Sequence, residues 1–358
     1  MALTSKEQTN RNYLKEKKPY VYEKIQKFDE KIKRGETIGI IQMQYNYQCN
    51  LRCEHCAIKR LQGVKSDRKM TVEDVRNLAK QADEMGLARF VITGGEPTTF
   101  KDLDEIVAAI DPQKFYINCD SNGYLLDREM IQHMMDIGID RIQLSLDNFD
   151  EEEHDSFRGM KGSFKNTMKA VDYCQELGMN LFIQTVCTKQ RLYTQEFRDF
   201  IKYFNDRGIG VFVSFAKPVG AWERQYDCCI DEEDLRYFEQ MEKEMNVFSH
   251  LTPGYGLEMG CIAIKGMFSI TQYGDVLPCP YMHIALGNIF DEPLKDIIDR
   301  GLSYKYFGEK IDLCTIAQDR EFFEKYLEAK IYDKPIPVPV EEVFTEEDKT
   351  KRPFYLDL

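Results

Sequence analysis

The chain has 358 residues, 43% of them hydrophobic, enough for one large domain or two ordinary ones around a buried core. Its net charge of −13 excludes a general electrostatic attraction to nucleic acid or anionic membrane. No run approaches the ~18 apolar residues of a membrane span, and the polar stretch Met1 to Lys18 holds no signal-peptide core. We therefore read a soluble, cytoplasmic protein. Eleven cysteines in that compartment point to metal or catalytic roles rather than to a disulfide framework.

Residues 1–37 read as an N-terminal helical extension, amphipathic around Val21 to Ile32, packed on the outside of the main domain. It is short for a separate binding module. Ile38 to Met43 reads as a strand that runs into Cys49-Asn50-Leu51-Arg52-Cys53-Glu54-His55-Cys56. Three thiolates spaced C-x3-C-x2-C can bind three corners of a cubane [4Fe–4S] cluster. The fourth iron is then open for chemistry, as in catalytic zinc sites with three protein ligands.

Thr71 opens a helix with Asp74 as capping-box partner, and Val72, Val75, Leu78, Ala82 and Met85 follow at helical spacing until Gly86. Phe90 to Thr93 is the second strand, followed at once by Gly94-Gly95-Glu96-Pro97. Two glycines there let the backbone approach a ligand closely. Phe115 to Cys119 is the third strand, followed by Ser121-Asn122-Gly123, and Met130 to Ile137 is a helical face. Arg141 to Asp147 alternates, with Ile142, Leu144 and Leu146 toward helices and Gln143, Ser145 and Asp147 toward a cavity. Ser163 caps a helix through Cys174, Leu181 to Cys187 is the fifth strand, Thr194 to Phe204 a helix, and Gly210 to Phe215 the sixth strand. Strands alternating with helices imply right-handed βα units and a parallel sheet, with function at the C-terminal strand ends. Cys119 and Cys174 read as small buried apolar residues.

The cysteine loop after the first strand and Gly94 to Pro97 after the second together resemble the radical S-adenosylmethionine (radical SAM) superfamily. The resemblance implies an α/β fold, a partial (β/α)6 TIM-like barrel, over roughly residues 38–220. It implies a [4Fe–4S] cluster on Cys49, Cys53 and Cys56 whose open iron binds AdoMet, and reductive cleavage of AdoMet to a 5′-deoxyadenosyl radical. It assigns Gly94, Gly95, Glu96 and Pro97 to AdoMet, with Glu96 at its amino group. It places Ser121 and Asn122 near the ribose and adenosine, adds Ser145 to the cofactor site, and points Arg158 at the AdoMet carboxylate, the rival reading being a surface ion pair. His55, at a usually aromatic position, packs against the adenine or the loop. Lys217-Pro218-Val219-Gly220 resembles the segment that closes around cofactor and substrate.

Beyond Gly220, Asp231 to Asp234 starts a helix through Met245, and residues 253–314 carry Gly and Cys. Residues 320–328 read as helical, and a Pro-rich stretch at 335–339 leads to an acidic tail. Cys261, Cys279 and Cys314, with a hairpin over Ile270, Gly274 and Val276, resemble SPASM and twitch domains, which hold auxiliary [4Fe–4S] clusters. The other reading, a zinc ribbon, calls for C-x2-C pairs. Three cysteines imply one auxiliary cluster. Its fourth ligand is left open among Cys228 or Cys229, Asp312, His283 and substrate; the other, favoured reading of His283 is a hydrogen-bonded surface histidine. The resulting domains are 1–37, a radical SAM core at 38–225, a small α+β auxiliary Fe–S domain at 226–330 and a tail at 331–358.

The expected function is hydrogen abstraction from an unactivated C–H bond, with electrons from a partner such as flavodoxin or ferredoxin. A small polar substrate, a sugar or aminocyclitol undergoing oxidation, epimerisation or dehydration, is favoured. Maturation of a ribosomally made peptide, by epimerisation or cross-linking, is the alternative. A non-catalytic Fe–S electron carrier or zinc scaffold would need no AdoMet motif. Cys187, at the C-terminal end of the fifth strand, is a candidate catalytic hydrogen-atom donor, as in redox-neutral epimerases of the superfamily. Its other reading is a buried, inert thiol, because Val186 and Cys187 face opposite ways.

Overall fold

Six strands alternate with helices in a computed structural model that describes residues 5–64, 66–254 and 257–351. The strands are Ile40–Asn46 (β1), Arg89–Gly94 (β2), Tyr116–Ser121 (β3), Arg141–Ser145 (β4), Asn180–Cys187 (β5) and Gly210–Phe215 (β6). They pair side by side in chain order, all parallel. Between them run the helices Val72–Glu84, Leu103–Ile110, Arg128–Asp136, Ser163–Leu177 and Gln195–Asp206. Thr71 starts the first of these with the expected capping box: its hydroxyl accepts from the Asp74 N–H (3.3 Å) and the Asp74 carboxylate accepts from the Thr71 N–H (2.9 Å). Val75, Leu78, Ala79 and Ala82 then bury one face. Ser163 is the first residue of its helix rather than its cap. Asp155 does the capping there, accepting from the N–H groups of Gly162 (2.5 Å) and Phe164 (2.8 Å). On β4 and just after it, Ile142, Leu144 and Leu146 are fully buried while Gln143 and Ser145 face cavities, as alternation requires.

The sheet does not stop at β6. Val247–Phe248 (β7) adds to β6, Met267–Ile270 (β8) adds in parallel to β1, and Val276–Leu277 (β9) pairs antiparallel with β8. Nine strands thus form one open sheet, in the order β7-β6-β5-β4-β3-β2-β1-β8-β9. The expected boundary at residue 226 does not cut the sheet, because the segment beyond it supplies both edges. The tail is also integrated. Val338 and Pro339 pair with Ile284 and Ala285, and Phe344 packs among Tyr304, Tyr306, Phe307 and Tyr326. Residues 352–358 lie outside the described residues.

The N-terminal helices Pro19–Gln26 and Phe28–Lys33 seal the bottom of the barrel, where the strands begin. Lys18 donates to the Phe115 carbonyl (2.9 Å) and pairs with Asp140 (2.6 Å), just before β3 and β4. Lys24 donates to the carbonyls of Leu87 (3.0 Å) and Lys114 (2.9 Å), and Lys31 to that of Met85 (2.6 Å). Val21, Ile25, Phe28 and Ile32 bury the apolar side beneath them. Among the described residues, no helix is long and apolar enough to cross a membrane.

Candidate active site and auxiliary cysteine cavity

The loop from Cys49 to Cys56 leaves the C-terminal end of β1 and is pinned from three sides of the rim. After β2, the Gly95 N–H donates to Asn46 O (2.7 Å) and the Glu96 N–H to Gln48 O (2.8 Å). From the helix Glu151–Arg158, the carbonyls of Arg158 and Phe157 accept from Arg52 (3.2 Å) and Glu54 (2.9 Å). After β6, the Ala221 N–H donates to Cys56 O (3.1 Å). Close approach explains the glycines. A Cβ on Gly95 would stand 1.9 Å from Gln48 O, and one on Gly220, whose φ is +64°, would stand 2.4 Å from Cys56 O. Sequence reading reserved Gly94 and Gly95 for a ligand; they also make room for the cysteine loop itself.

Cys49, Cys53 and Cys56 line one cavity of about 570 Å³. Gly94, Gly95, Glu96, Ser121, Asn122, Ser145 and Arg158 share its wall. Pro97 does not; it is buried and begins a short 3₁₀ turn. Cys187 does not either. It is fully buried in the apolar core, burial pushes its thiol up to about 12, and its neighbour Val186 faces the cavity instead. The structure thus sets Cys187 in the core and off the cavity wall, the position that the inert-thiol reading requires.

Glu96 is 1% exposed and ties two strand ends together. Its Oε1 accepts from Ser121 Oγ (2.7 Å), Thr98 Oγ1 (2.7 Å) and the Thr98 N–H (3.2 Å), and its Oε2 from the Asn122 N–H (2.8 Å). Burial pushes its carboxyl upward, and those donors oppose the shift. One lone-pair position on Oε2 stays uncommitted. Asn122 also donates to Asn50 Oδ1 (2.8 Å), linking β3 to the cysteine loop.

Arg158 forms a buried ion pair, not a surface one. Its Nε (2.7 Å) and Nη2 (2.6 Å) both meet Asp147 Oδ2, and Nη1 lies 3.9 Å from Cys53 Sγ. Burial alone would push the Asp147 carboxyl up, but Arg158 and the Val186 N–H hold it at about 2. Asp147 was read only as cavity-facing; its role as the anchor of Arg158 became visible with the fold. His55 stacks on Phe157 with ring centres 4.4 Å apart, and burial lowers it to about 3, so it is a neutral packing residue.

The donor set fits a cluster. Three thiols share a concave wall, and His55 Nδ1 and Trp222 Nε1 on that wall are buried with no partner among the described residues. Among the described residues, no three Cys, His, Asp or Glu groups are close enough to hold a single metal ion. Thiolates around a cubane stand farther apart than around one ion. Burial pushes Cys49 up to about 11 and raises Cys56, so it is bound iron that would keep them as thiolates.

A second cavity of about 940 Å³ is lined by Cys261, Cys279 and Cys314. The β8–β9 hairpin separates the first two, and the Cys261 N–H reaches Ile311 O (2.7 Å) to bring in the third. Burial, reinforced by the other cysteines, pushes Cys279 to about 11 and Cys314 to about 12. The proposed fourth ligands are not there. The Asp312 side chain is 80% exposed beside Lys310, and Cys228 and Cys229 lie outside the cavity wall. His283 is buried under the tail, its carbonyl accepting from Val338 (3.0 Å), rather than at the surface. Asp120, Gln184, Ser214, Lys217 and Tyr281 line both cavities and form their common wall. Asp120 and Tyr281 were missed; the available signals were alternation next to Ser121 and position two residues past Cys279.

Comparison with known proteins assigns families to two stretches of the chain. A model of the radical SAM superfamily matches residues 43–203, and a model of an iron–sulfur cluster-binding domain, SPASM, matches residues 261–319. AdoMet-dependent heme synthase of Methanosarcina barkeri is 24% identical over 301 residues, 75% of this chain and 85% of that protein. PqqA peptide cyclase of Granulibacter bethesdensis is 30% identical over 149 residues, 42% of this chain and 40% of that protein. The crystal structure of Streptococcus suis SuiB bound to precursor peptide SuiA shares the fold, with TM-score 0.60 and 21% identity over 76% of this chain and 68% of that one. The chain belongs to the radical SAM superfamily and carries a SPASM iron–sulfur domain, so its cofactors are AdoMet, the [4Fe–4S] cluster that binds it and an auxiliary iron–sulfur cluster.

Proposed function

We propose that this enzyme abstracts hydrogen from a C–H bond of a peptide lying across the wall between the two cavities. Cys49, Cys53 and Cys56 hold the AdoMet-binding cluster, and Cys261, Cys279 and Cys314 hold the auxiliary one. Bound there, AdoMet supplies a 5′-deoxyadenosyl radical when a reduced flavodoxin or ferredoxin delivers an electron. Arg158, fixed by Asp147, presents Nη1 beside Cys53, where it suits the AdoMet carboxylate. Ser121, Asn122 and Ser145 offer polar contacts to the nucleoside side.

The observation that carries the substrate reading is the second cavity. It holds about 940 Å³, and Phe182, Phe212, Phe248, Met259 and Met282 make much of its wall apolar. A peptide suits such a wall, with Asp120, Gln184, Ser214 and Lys217 for its amides and the apolar residues for its side chains, so the peptide reading fits at least as well as the small polar one. The names of PqqA peptide cyclase and of SuiB with its precursor peptide agree with it.

Anaerobically reconstituted protein should convert AdoMet to 5′-deoxyadenosine and hold about eight irons in two cubanes. The Cys49→Ala, Cys53→Ala, Cys56→Ala variant should make none and keep about half the iron. Deuterium from deuterated peptides should appear in 5′-deoxyadenosine. Deuterium arriving only from deuterated sugars or aminocyclitols would overturn the peptide assignment.

A further inference from the structure

Lys217 stands two residues past β6, with its side chain buried between the two cavities. Its Nζ donates to Phe215 O (2.7 Å) and to Ser214 Oγ (3.3 Å) and lies 4.1 Å from the centre of the Tyr281 ring. Each of these partners is neutral. At the opposite end of the strands, the buried lysines of the barrel floor have carboxylates, Lys18 with Asp140 and Lys24 with Asp83, while buried Lys265 donates to the carbonyls of Phe307 (3.0 Å) and Glu309 (2.8 Å). Among the described residues, no carboxylate comes within ion-pair distance of Lys217. Cys229 and His250 also face this charge; the hydrogen bond with Cys228, and then burial, pushes the Cys229 thiol up, and burial keeps His250 neutral.

An ammonium taken from water without a counter-charge is strongly unfavourable. The missing negative charge belongs to the auxiliary cysteines. They share a cavity wall with Lys217, and its charge acts on the thiols of Cys279 and Cys314. A cubane held by thiolates is anionic and becomes more so on reduction. The potential of such a cluster depends on the charge around it. We propose that Lys217 is the counter-charge of the auxiliary cluster and raises its reduction potential. This rests on the reading that Cys261, Cys279 and Cys314 hold that cluster. Lys217 acts as a positioning charge on the cluster, and Tyr281 and Ser214 hold its ammonium in place.

The test is an anaerobic, EPR-monitored redox titration of the complete holoenzyme, with Lys217→Met and Lys217→Arg beside it. Added AdoMet identifies the signal of the radical-site cluster, which serves as an internal reference. Lys217→Met should make the auxiliary cluster at least tenfold harder to reduce, about 59 mV more negative for one electron. Lys217→Arg should stay near the unmodified value, and the reference cluster should move less. Selective loss of auxiliary iron in Lys217→Met, with retention in Lys217→Arg, would support the same conclusion. An unmoved auxiliary midpoint in Lys217→Met, or an equal shift in Lys217→Arg, overturns the proposal. About four irons in the unmodified chain, with no second signal, would overturn the cluster assignment and this proposal together, a result distinct from an unmoved midpoint.

Discussion

Val186 and Cys187 are neighbours on β5, and the pleat sends them to opposite faces. Val186 meets the cavity, while Cys187 meets helices and stays in the core. Cys187→Ala should therefore leave 5′-deoxyadenosine formation unchanged and cost about 1 kcal/mol of stability. Normal AdoMet cleavage with no substrate product in that variant would show that the thiol does reach the substrate. The alternation of this strand was legible in its sequence, but its phase was not, because apolar residues occupy both faces of a strand buried on both sides. Asp348 allows a pH test. Burial pushes its carboxyl up, but the Tyr326 hydroxyl, the Thr345 N–H and Lys305 bring it to about 2, below the ordinary 3.8. A depressed carboxyl stabilises the fold above its unfolded value and loses that contribution as pH falls, here between about 4 and 2. After allowance for solvent screening, this is about 1 kcal/mol. The difference in unfolding midpoint between the unmodified chain and Asp348→Asn should narrow as pH is lowered from about 6 to about 3. A constant difference would mean that the charge on Asp348 does not hold the tail.

The cysteine loop has no regular secondary structure and depends on the segments that clamp it. Gly95→Ala would drive a Cβ to 1.9 Å from the Gln48 carbonyl, a backbone atom with no room to yield. The loop should lose its shape while the auxiliary site, built from other segments, keeps its own. Iron should fall to about half, with AdoMet cleavage lost. Full iron content in Gly95→Ala would mean that the loop tolerates displacement. Strands β1 to β6 and their helices were legible because burial follows the alternation and helical spacing written in the chain. The tail was not. Val338, Val340, Val343 and Phe344 bury themselves, but over too short a span for a period to show. Strand β7, only two residues long, left no pattern for the same reason.

At the scale of the molecule, the chain beyond residue 225 completes the radical SAM sheet, because β8, within the SPASM segment, covers the outer edge of β1, and β7, which precedes that segment, covers that of β6. A chain ended at residue 225 would expose both edges and lose support for the strand that carries Cys49 to Cys56. It should hold almost no iron and associate through those edges, as gel filtration and iron analysis would show. A soluble monomer that still cleaves AdoMet would show that the six-strand unit stands alone. No local sequence signal announces that β8 lies beside β1, since the pairing joins residues 227 positions apart, as Thr37 and Ile264 also are. That distance matters on the ribosome. At roughly 5–20 residues per second, β1 waits on the order of ten seconds or more for β8 to be made. The cysteine loop waits almost as long for the segment at Gly220. Through that interval its thiols are held by a half-walled barrel with an unpaired strand edge, open to oxidation and to strand pairing with other nascent chains. Stable cluster insertion therefore belongs after synthesis, and the time each chain spends unfinished is set by how far apart the two halves of its barrel are encoded.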